Sequence, residues 1–285
     1  SCKTPPSPHY HVVMRTLLLF AVLAMPTAAL AAPGDKPLIV AHRGASYDAP
    51  ENTLAAFKLA WEQGADAIEG DFYLTKDGKI ICTHDKDMKR LAKSDMVVAK
   101  SNFDDLRKLD VGSWKDKKFA AERMPSLKEV LATVPAGKKI FIEIKCGPEI
   151  VPALTQELKA SSLRPEQTVI ISFSADVIAA CNEAMPDRKA HWLTGYKQDK
   201  ETKAWSPTIE SILRTLKETK ADGLDTNAHH SIDAAFVKAL RDANYEFHCW
   251  TVNDPVVAKR FIELGVDSIT TDRPAWLRER LSPGS

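Results

Sequence analysis

The sequence predicts a closed (β/α)8 barrel, with an insertion after a β-hairpin that follows the second strand. Three observations lead there. Short apolar runs of strand length alternate with amphipathic stretches of helix length. The candidates for parallel strands begin near residues 38, 67, 139, 169, 189, 223, 246 and 268. Eight such units over about 250 residues are what one barrel requires. A doubly wound open sheet is the alternative architecture. Its dinucleotide-binding form is disfavoured, because no G-x-G-x-x-G follows the first strand.

In chain order, the first feature precedes the barrel. Met14-Arg15-Thr16 makes a short basic start, Leu17 to Met25 is apolar, and Ala29-Leu30-Ala31 supplies an A-x-A ending. That order describes a secretory signal peptide from Met14 to Ala31. It implies an exported protein, periplasmic or secreted, with residues 1–31 outside the fold and a single domain over 32–285. The apolar run is too short for a membrane span, which needs about 20 residues, so no stable membrane anchor is expected. Export permits disulfides among Cys82, Cys146, Cys181 and Cys249, and four buried thiols are an equally good reading. No CxxC pair marks a structural zinc site.

Leu38 to Ala41 reads as the strand that delivers His42, and Asn52 to Gln63 as a helix stopped by Gly64. Ala67 to Leu74 is the second strand. Lys76-Asp77-Gly78-Lys79 is a turn, and Lys79 to Thr83 is the returning hairpin strand. The polar stretch 85–124 is too long for an ordinary connection. It follows a candidate catalytic histidine, so it is expected at the active-site mouth. Ser126 to Val134 is helical and Lys139 to Lys145 a strand. Further strands are expected at Val169–Phe173, Lys189–Leu193, Gly223–Thr226, Glu246–Val252 and Asp267–Thr271. Helices follow them near 149–160, 175–185, 207–219, 232–243, 255–264 and 274–281.

Composition narrows the possible partners. The chain of 285 residues is 44% hydrophobic and 27% charged, with a formal net charge of +1. A nearly neutral chain has no overall field to draw in nucleic acid or an anionic membrane. A small-molecule substrate is expected instead.

The chemistry gathers at strand ends. Glu69 and Asp71 lie two apart in one strand, so both side chains face the same way. Glu143 and Lys145 repeat that spacing, with Ile140, Ile142 and Ile144 on the other face. Charges facing a closed interior are costly unless they meet one another, an ion or a polar ligand. Three inward carboxylates make an oxygen-rich site for one divalent cation, Ca²⁺ or Mg²⁺. Arg43 and Lys145 add positive charge for phosphate oxygens. His42 and His84 supply imidazoles, the side-chain type suited to proton transfer near neutrality. The set reads as metal-assisted cleavage of a phosphate ester. Among the other histidines, His191 and His248 read as buried barrel residues and His229 and His230 as loop residues, while Asn227 is a weak candidate for substrate contact.

Residues 41–57, Ala-His-Arg-Gly-Ala-Ser-Tyr-Asp-Ala-Pro-Glu-Asn-Thr-Leu-Ala-Ala-Phe, resemble the signature of glycerophosphodiester phosphodiesterases. The resemblance continues through Ile68-Glu-Gly-Asp, Thr83-His-Asp, Ile142-Glu-Ile-Lys, Trp250-Thr-Val-Asn and Gly265-Val-Asp-Ser-Ile-Thr-Thr-Asp-Arg-Pro. It implies a TIM barrel that hydrolyses glycerophosphodiesters to glycerol 3-phosphate and an alcohol. By position it implies catalytic roles for His42 and His84, and metal ligation by Glu69, Asp71 and Glu143. It also implies phosphate contact by Arg43 and Lys145, an aromatic substrate contact by Trp250, and a supporting role for Glu51. Two departures stand out: Gly70 where the family often has Leu, and the polar ending Ser268-Ile-Thr-Thr-Asp, of which little consequence is expected. The alternative reaction is that of a phospholipase D-like enzyme, acting on lysophospholipids or sphingolipids through a cyclic phosphate. The Lys- and Asp-rich stretch 85–124 favours soluble head-group diesters. A non-catalytic phosphate-ester binder would not need both histidines.

Overall fold

The structure is a computed structural model that describes residues 1–3 and 36–282. The segment Met14 to Ala31, read as a signal peptide, lies outside the described residues. Residues 36–282 belong to one compact unit.

Eight parallel strands close on themselves. They are β1 (Leu38–Ala41), β2 (Ala67–Leu74), β3 (Lys139–Ile144), β4 (Thr168–Ser172), β5 (Lys189–Thr194), β6 (Gly223–Asn227), β7 (Glu246–Trp250) and β8 (Ser268–Thr271). Each pairs with the next in sequence. Closure comes at β1, where Val40 pairs with Ala67 of β2 and Leu38 with Ser268 of β8. The connecting helices are α1 (Leu54–Glu62), α2 (Leu127–Leu131), α3 (Val151–Ala160), α4 (Ala175–Ala184), α5 (Ile209–Thr219), α6 (Ala234–Asp242), α7 (Pro255–Glu263) and α8 (Pro274–Leu281). This is the TIM barrel expected from the alternation of apolar runs.

Two apolar layers follow from strand pleating. Outward residues such as Ile68, Phe72, Ile140, Ile142, Leu224 and Phe247 join the helices in the main core. Inward residues Val40, Ala67, Phe141, Val169, Ile171 and Leu193 fill the barrel. Gly70 faces outward, where a Cβ would come within 3.1 Å of the Phe57 ring on α1. Its lack of a side chain makes room for that phenyl group and leaves the acids on either side untouched.

Local signals set the helix starts. The Thr53 hydroxyl accepts from the Ala56 amide, so α1 begins at Leu54 rather than at Asn52. Ser126 and Glu129 form a reciprocal capping box at α2, which ends at Leu131 rather than reaching Val134. The hairpin after β2 forms as expected, with Ile80–Cys82 antiparallel to it and Gly78 at positive φ in the turn.

The stretch 85–124 folds on itself. Met88, Leu91, Val98, Phe103, Leu106, Val111 and Met124 bury a separate apolar cluster together with Ile81 of the hairpin. Lys115 donates to the Ser46 carbonyl, and the Ala55 amide donates to Glu122, so the segment is tied to the connection between β1 and α1. Cys82, Cys146, Cys181 and Cys249 are all free. No described helix is long and apolar enough to cross a membrane.

Candidate active site

Functional side chains sit at the C-terminal ends of β1, β2 and β3. Asp71 and Glu143 are register partners on adjacent strands, and Glu69 lies two residues earlier on β2. One oxygen from each carboxylate lies within 4.8 Å of the others. The residues are 3%, 1% and 9% exposed for Glu69, Asp71 and Glu143, so solvent does little to screen them.

The chain after β1 turns back over this cluster. Gly44 has φ +80° and packs so closely on α1 that a Cβ would lie 2.5 Å from the Ala56 carbonyl carbon. Only glycine allows that approach. The turn brings the Arg43 amide to Glu69 Oε2 at 2.8 Å and Arg43 Nε to Asp71 Oδ2 at 3.3 Å. Asn52, also at positive φ, grips Asp71 twice: its Nδ2 donates to Oδ2 at 2.8 Å, and its Oδ1 accepts from the Asp71 amide at 3.1 Å. Lys145 reaches Glu143 Oε1 at 2.6 Å and Asp71 Oδ1 at 3.4 Å.

Charge divides unequally among the three acids. Burial raises the Glu69 carboxyl well above its ordinary range, and the charges of Asp71 and Glu143 add to it. Burial and Asp71 push Glu143 up to about 7, against the pull of Lys145. Burial acts on Asp71 as well, but Arg43 and Lys145 hold it below the usual carboxylate range. Glu69 Oε1 and Asp71 Oδ1 are buried without a hydrogen-bond partner. Orphaned carboxylate oxygens in an all-oxygen cluster fit a hard divalent cation, which would compensate the charge that protons otherwise neutralise.

Each candidate histidine has its own carboxylate. His42 Nδ1 lies 2.7 Å from Asp272 Oδ1, just beyond β8. Burial alone would raise Asp272, but His42, Asn253 and Ser46 bring it down to about 2. Asn253 Nδ2 donates to Asp272 Oδ2 at 2.6 Å, and its Oδ1 accepts from the Asp272 amide at 2.9 Å. Asp272, directly after β8, thus joins His42 to Asn253. His84 Nδ1 lies 2.8 Å from Asp85 Oδ1, while Arg90 Nε donates to Asp85 Oδ2 at 2.6 Å. Arg90 also forms a two-pronged pair with Glu51, which accepts from Arg43 as well. A continuous charged chain thus runs from His84 to Arg43. Trp250 closes β7 at the mouth, edge-on to Phe173 with ring centroids 5.6 Å apart.

Asp272, Asp85, Asn52, Asn253 and Arg90 received no role from the sequence. The available signal was position, since Asp272 directly follows the last barrel strand, where barrel active sites are built. His229 and His230 lie apart from the carboxylates, in a loop cluster with Tyr196 and Trp205. His191 and His248 are buried inside the barrel, as expected.

Comparison with known proteins identifies the group. Residues 42–276 match the glycerophosphoryl diester phosphodiesterase family. The chain belongs to that family. It is 32% identical over 248 residues to a glycerophosphodiester phosphodiesterase of Caldanaerobacter subterraneus, covering 85% of this chain and 96% of that one. A Bacillus subtilis glycerophosphodiester phosphodiesterase is 29% identical, with 84% and 85% covered. Among solved structures, a phosphodiesterase of Oleispira antarctica in complex with the product sn-glycerol-3-phosphate superposes with a TM-score of 0.77. The two are 26% identical, with 86% of this chain and 96% of that one covered. A Thermotoga maritima glycerophosphodiester phosphodiesterase gives a TM-score of 0.68 at 27% identity, with 86% and 98% covered. The protein is accordingly an enzyme of the glycerophosphodiester phosphodiesterase type.

Proposed function

We propose that the protein hydrolyses head-group diesters such as glycerophosphocholine and glycerophosphoethanolamine to sn-glycerol 3-phosphate and the free alcohol. The observation that supports this best is the pair of carboxylate-backed histidines, each chained to the acidic cluster. Arg43, next to His42, donates its amide to Glu69, and the Thr83 amide, next to His84, donates to the Asp71 carbonyl at 2.9 Å. Glu69, Asp71 and Glu143 would hold one divalent cation, Ca²⁺ or Mg²⁺. When bound, the cation supplies charge stabilisation at a phosphoryl oxygen.

The chain's own residues do the rest. Arg43 and Lys145 neutralise the phosphoryl oxygens as charge gathers on them. One histidine takes the proton from the attacking hydroxyl: water gives glycerol 3-phosphate directly, whereas the hydroxyl of the neighbouring glycerol carbon gives a cyclic phosphate that water then opens. The other returns a proton to the departing alcohol oxygen. Trp250 and Phe173 give the mouth an aromatic wall. We further propose export of the enzyme, on the strength of the Met14 to Ala31 segment.

Incubation with glycerophosphocholine and, separately, with lysophosphatidylcholine tests the reading. Glycerol 3-phosphate from the first, dependent on added Ca²⁺ or Mg²⁺ and abolished by chelator, is expected. Turnover of only the lysolipid, with release of a cyclic phosphate, would replace it with the phospholipase D-like reaction.

Cation affinity should also depend on pH. Glu143 titrates at about 7 and Glu69 is raised well above its ordinary range, so cation binding must expel protons. Affinity should weaken as pH falls, by about tenfold per unit below pH 7 for each proton released. Calorimetry in buffers of different ionisation enthalpy counts those protons. An affinity that is flat between about pH 5.5 and about pH 7.5 contradicts the assigned ligand set.

A further inference from the structure

A second cluster of metal-ligating side chains lies inside the barrel, below the phosphodiesterase site and sharing no residue with it. His191 of β5 and Glu246 and His248 of β7 bring one donor atom each within 4.8 Å of one another. His191 is 0% and His248 4% exposed. Phe141, two residues before Glu143 on β3, sets its ring edgewise to both imidazoles, with centroids 6.3 and 5.9 Å away. It separates them from the acidic cluster along that strand.

The donor atoms are spaced as the ligands of one small cation would be. His191 Nε2 lies 3.2 Å and His248 Nε2 3.4 Å from Glu246 Oε2. Both are ion-pair contacts, and Nδ1 of His191 is buried without a hydrogen-bond partner. A tetrahedral cation with ordinary bonds to imidazole nitrogen and carboxylate oxygen sets its ligands about 3.3–3.5 Å apart. The atoms around the cluster leave the donor atoms free. His248 Nδ1 lies 2.7 Å from the Ser268 hydroxyl, so the other ring nitrogen faces Glu246. Lys189 engages Oε1 of Glu246 and leaves Oε2 to the histidines. Such outer contacts orient metal-binding histidines and carboxylates. The two imidazoles stack with centroids 4.3 Å apart and 21° between planes. Closing on a cation requires one ring to turn about its Cβ–Cγ bond.

We propose that His191, Glu246 and His248 form a second metal site, selective for a borderline cation such as Zn²⁺ or Co²⁺. Two nitrogens and one carboxylate oxygen suit these ions, whereas the all-oxygen site at the strand ends suits Ca²⁺ or Mg²⁺. Glu246 is the least buried of the three and lies at the N-terminal end of β7.

The test uses untagged, chelator-stripped full-length protein with the oxygen site saturated by Ca²⁺, titrated with Co²⁺. An intense visible band of nitrogen-ligated, low-coordinate Co²⁺ should saturate at about one equivalent. It should persist in Glu69→Gln and disappear in His248→Gln. Ser268→Ala keeps all three ligands and should weaken Co²⁺ binding by about 10- to 100-fold. If His248→Gln does not fold, the wild type and Ser268→Ala still decide the matter. No such band in the wild type overturns the proposal, as does an unchanged affinity in Ser268→Ala or a band lost in Glu69→Gln and retained in His248→Gln. Because the readout is a spectrum, its failure is separable from failure of the phosphodiesterase reading.

Discussion

Replacing His42 or His84 with alanine should lower kcat on glycerophosphocholine by on the order of 10²–10⁴, with KM much less affected. In the proposed reaction these imidazoles carry the proton to and from oxygen. Each ring has one nitrogen committed to a carboxylate, His42 to Asp272 and His84 to Asp85, which leaves the other ring nitrogen for substrate. Losing an imidazole removes no apolar core, because both residues are only partly buried. The loss should therefore appear in turnover and not in the thermal midpoint. Asp272→Asn probes the same machinery one bond further out. It keeps the shape but removes the charge facing Nδ1, so a loss of about 10- to 100-fold in kcat is expected, with a displaced pH–rate profile. Asp272 is a positioning residue, and a merely structural role would leave the pH profile in place. Near wild-type turnover in both His42→Ala and His84→Ala would sink the acid–base assignment.

What the sequence shows and what it hides divide along the range of the interactions. Strands such as Ala67–Leu74 and Lys139–Ile144 were legible because apolar and charged residues alternate with the period of the pleat. The same alternation puts Glu69, Asp71 and Glu143 on the inner face. The residues without an assigned role act over long separations or from loops. Asp272 meets His42 across 230 positions, and Asn52 meets Asp71 across 19, and neither pairing has a periodic signature. The stretch 85–124 shows why polarity alone misleads. Its apolar residues are irregularly spaced among many charges, yet Met88, Val98, Phe103 and Leu106 find one another and bury a small core of their own. That core holds Arg90 against Glu51 and Asp85, so the insertion participates in the histidine's electrostatics instead of simply shading the mouth.

Asp71→Asn should be the most damaging single change at the acidic cluster, lowering kcat/KM by on the order of 10³ or more at any cation concentration. Asp71 is the point where the charges of the site meet. Oδ2 takes Asn52 and Arg43, and Oδ1 faces Lys145. Loss of its charge would withdraw one of the three proposed cation ligands and one counterion from each of Arg43 and Lys145. Added Ca²⁺ or Mg²⁺ should not restore activity, because the phosphate-binding geometry would be disturbed as well. The effect on stability has two opposing parts. Breaking a buried ion network costs about 3–5 kcal/mol when a charge is left alone. Here Arg43 retains Glu51, and Lys145 retains Glu143, so neither is stranded. At the same time the repulsion that raises Glu69 and Glu143 is relieved, and both carboxyls can ionise and take over the neutralisation of Arg43 and Lys145. The expected outcome is a nearly dead enzyme with a thermal midpoint within a few degrees of wild type, roughly ±1 kcal/mol. Activity within tenfold of wild type would show that the Asp71 charge is needed neither for the cation nor to hold Arg43 and Lys145.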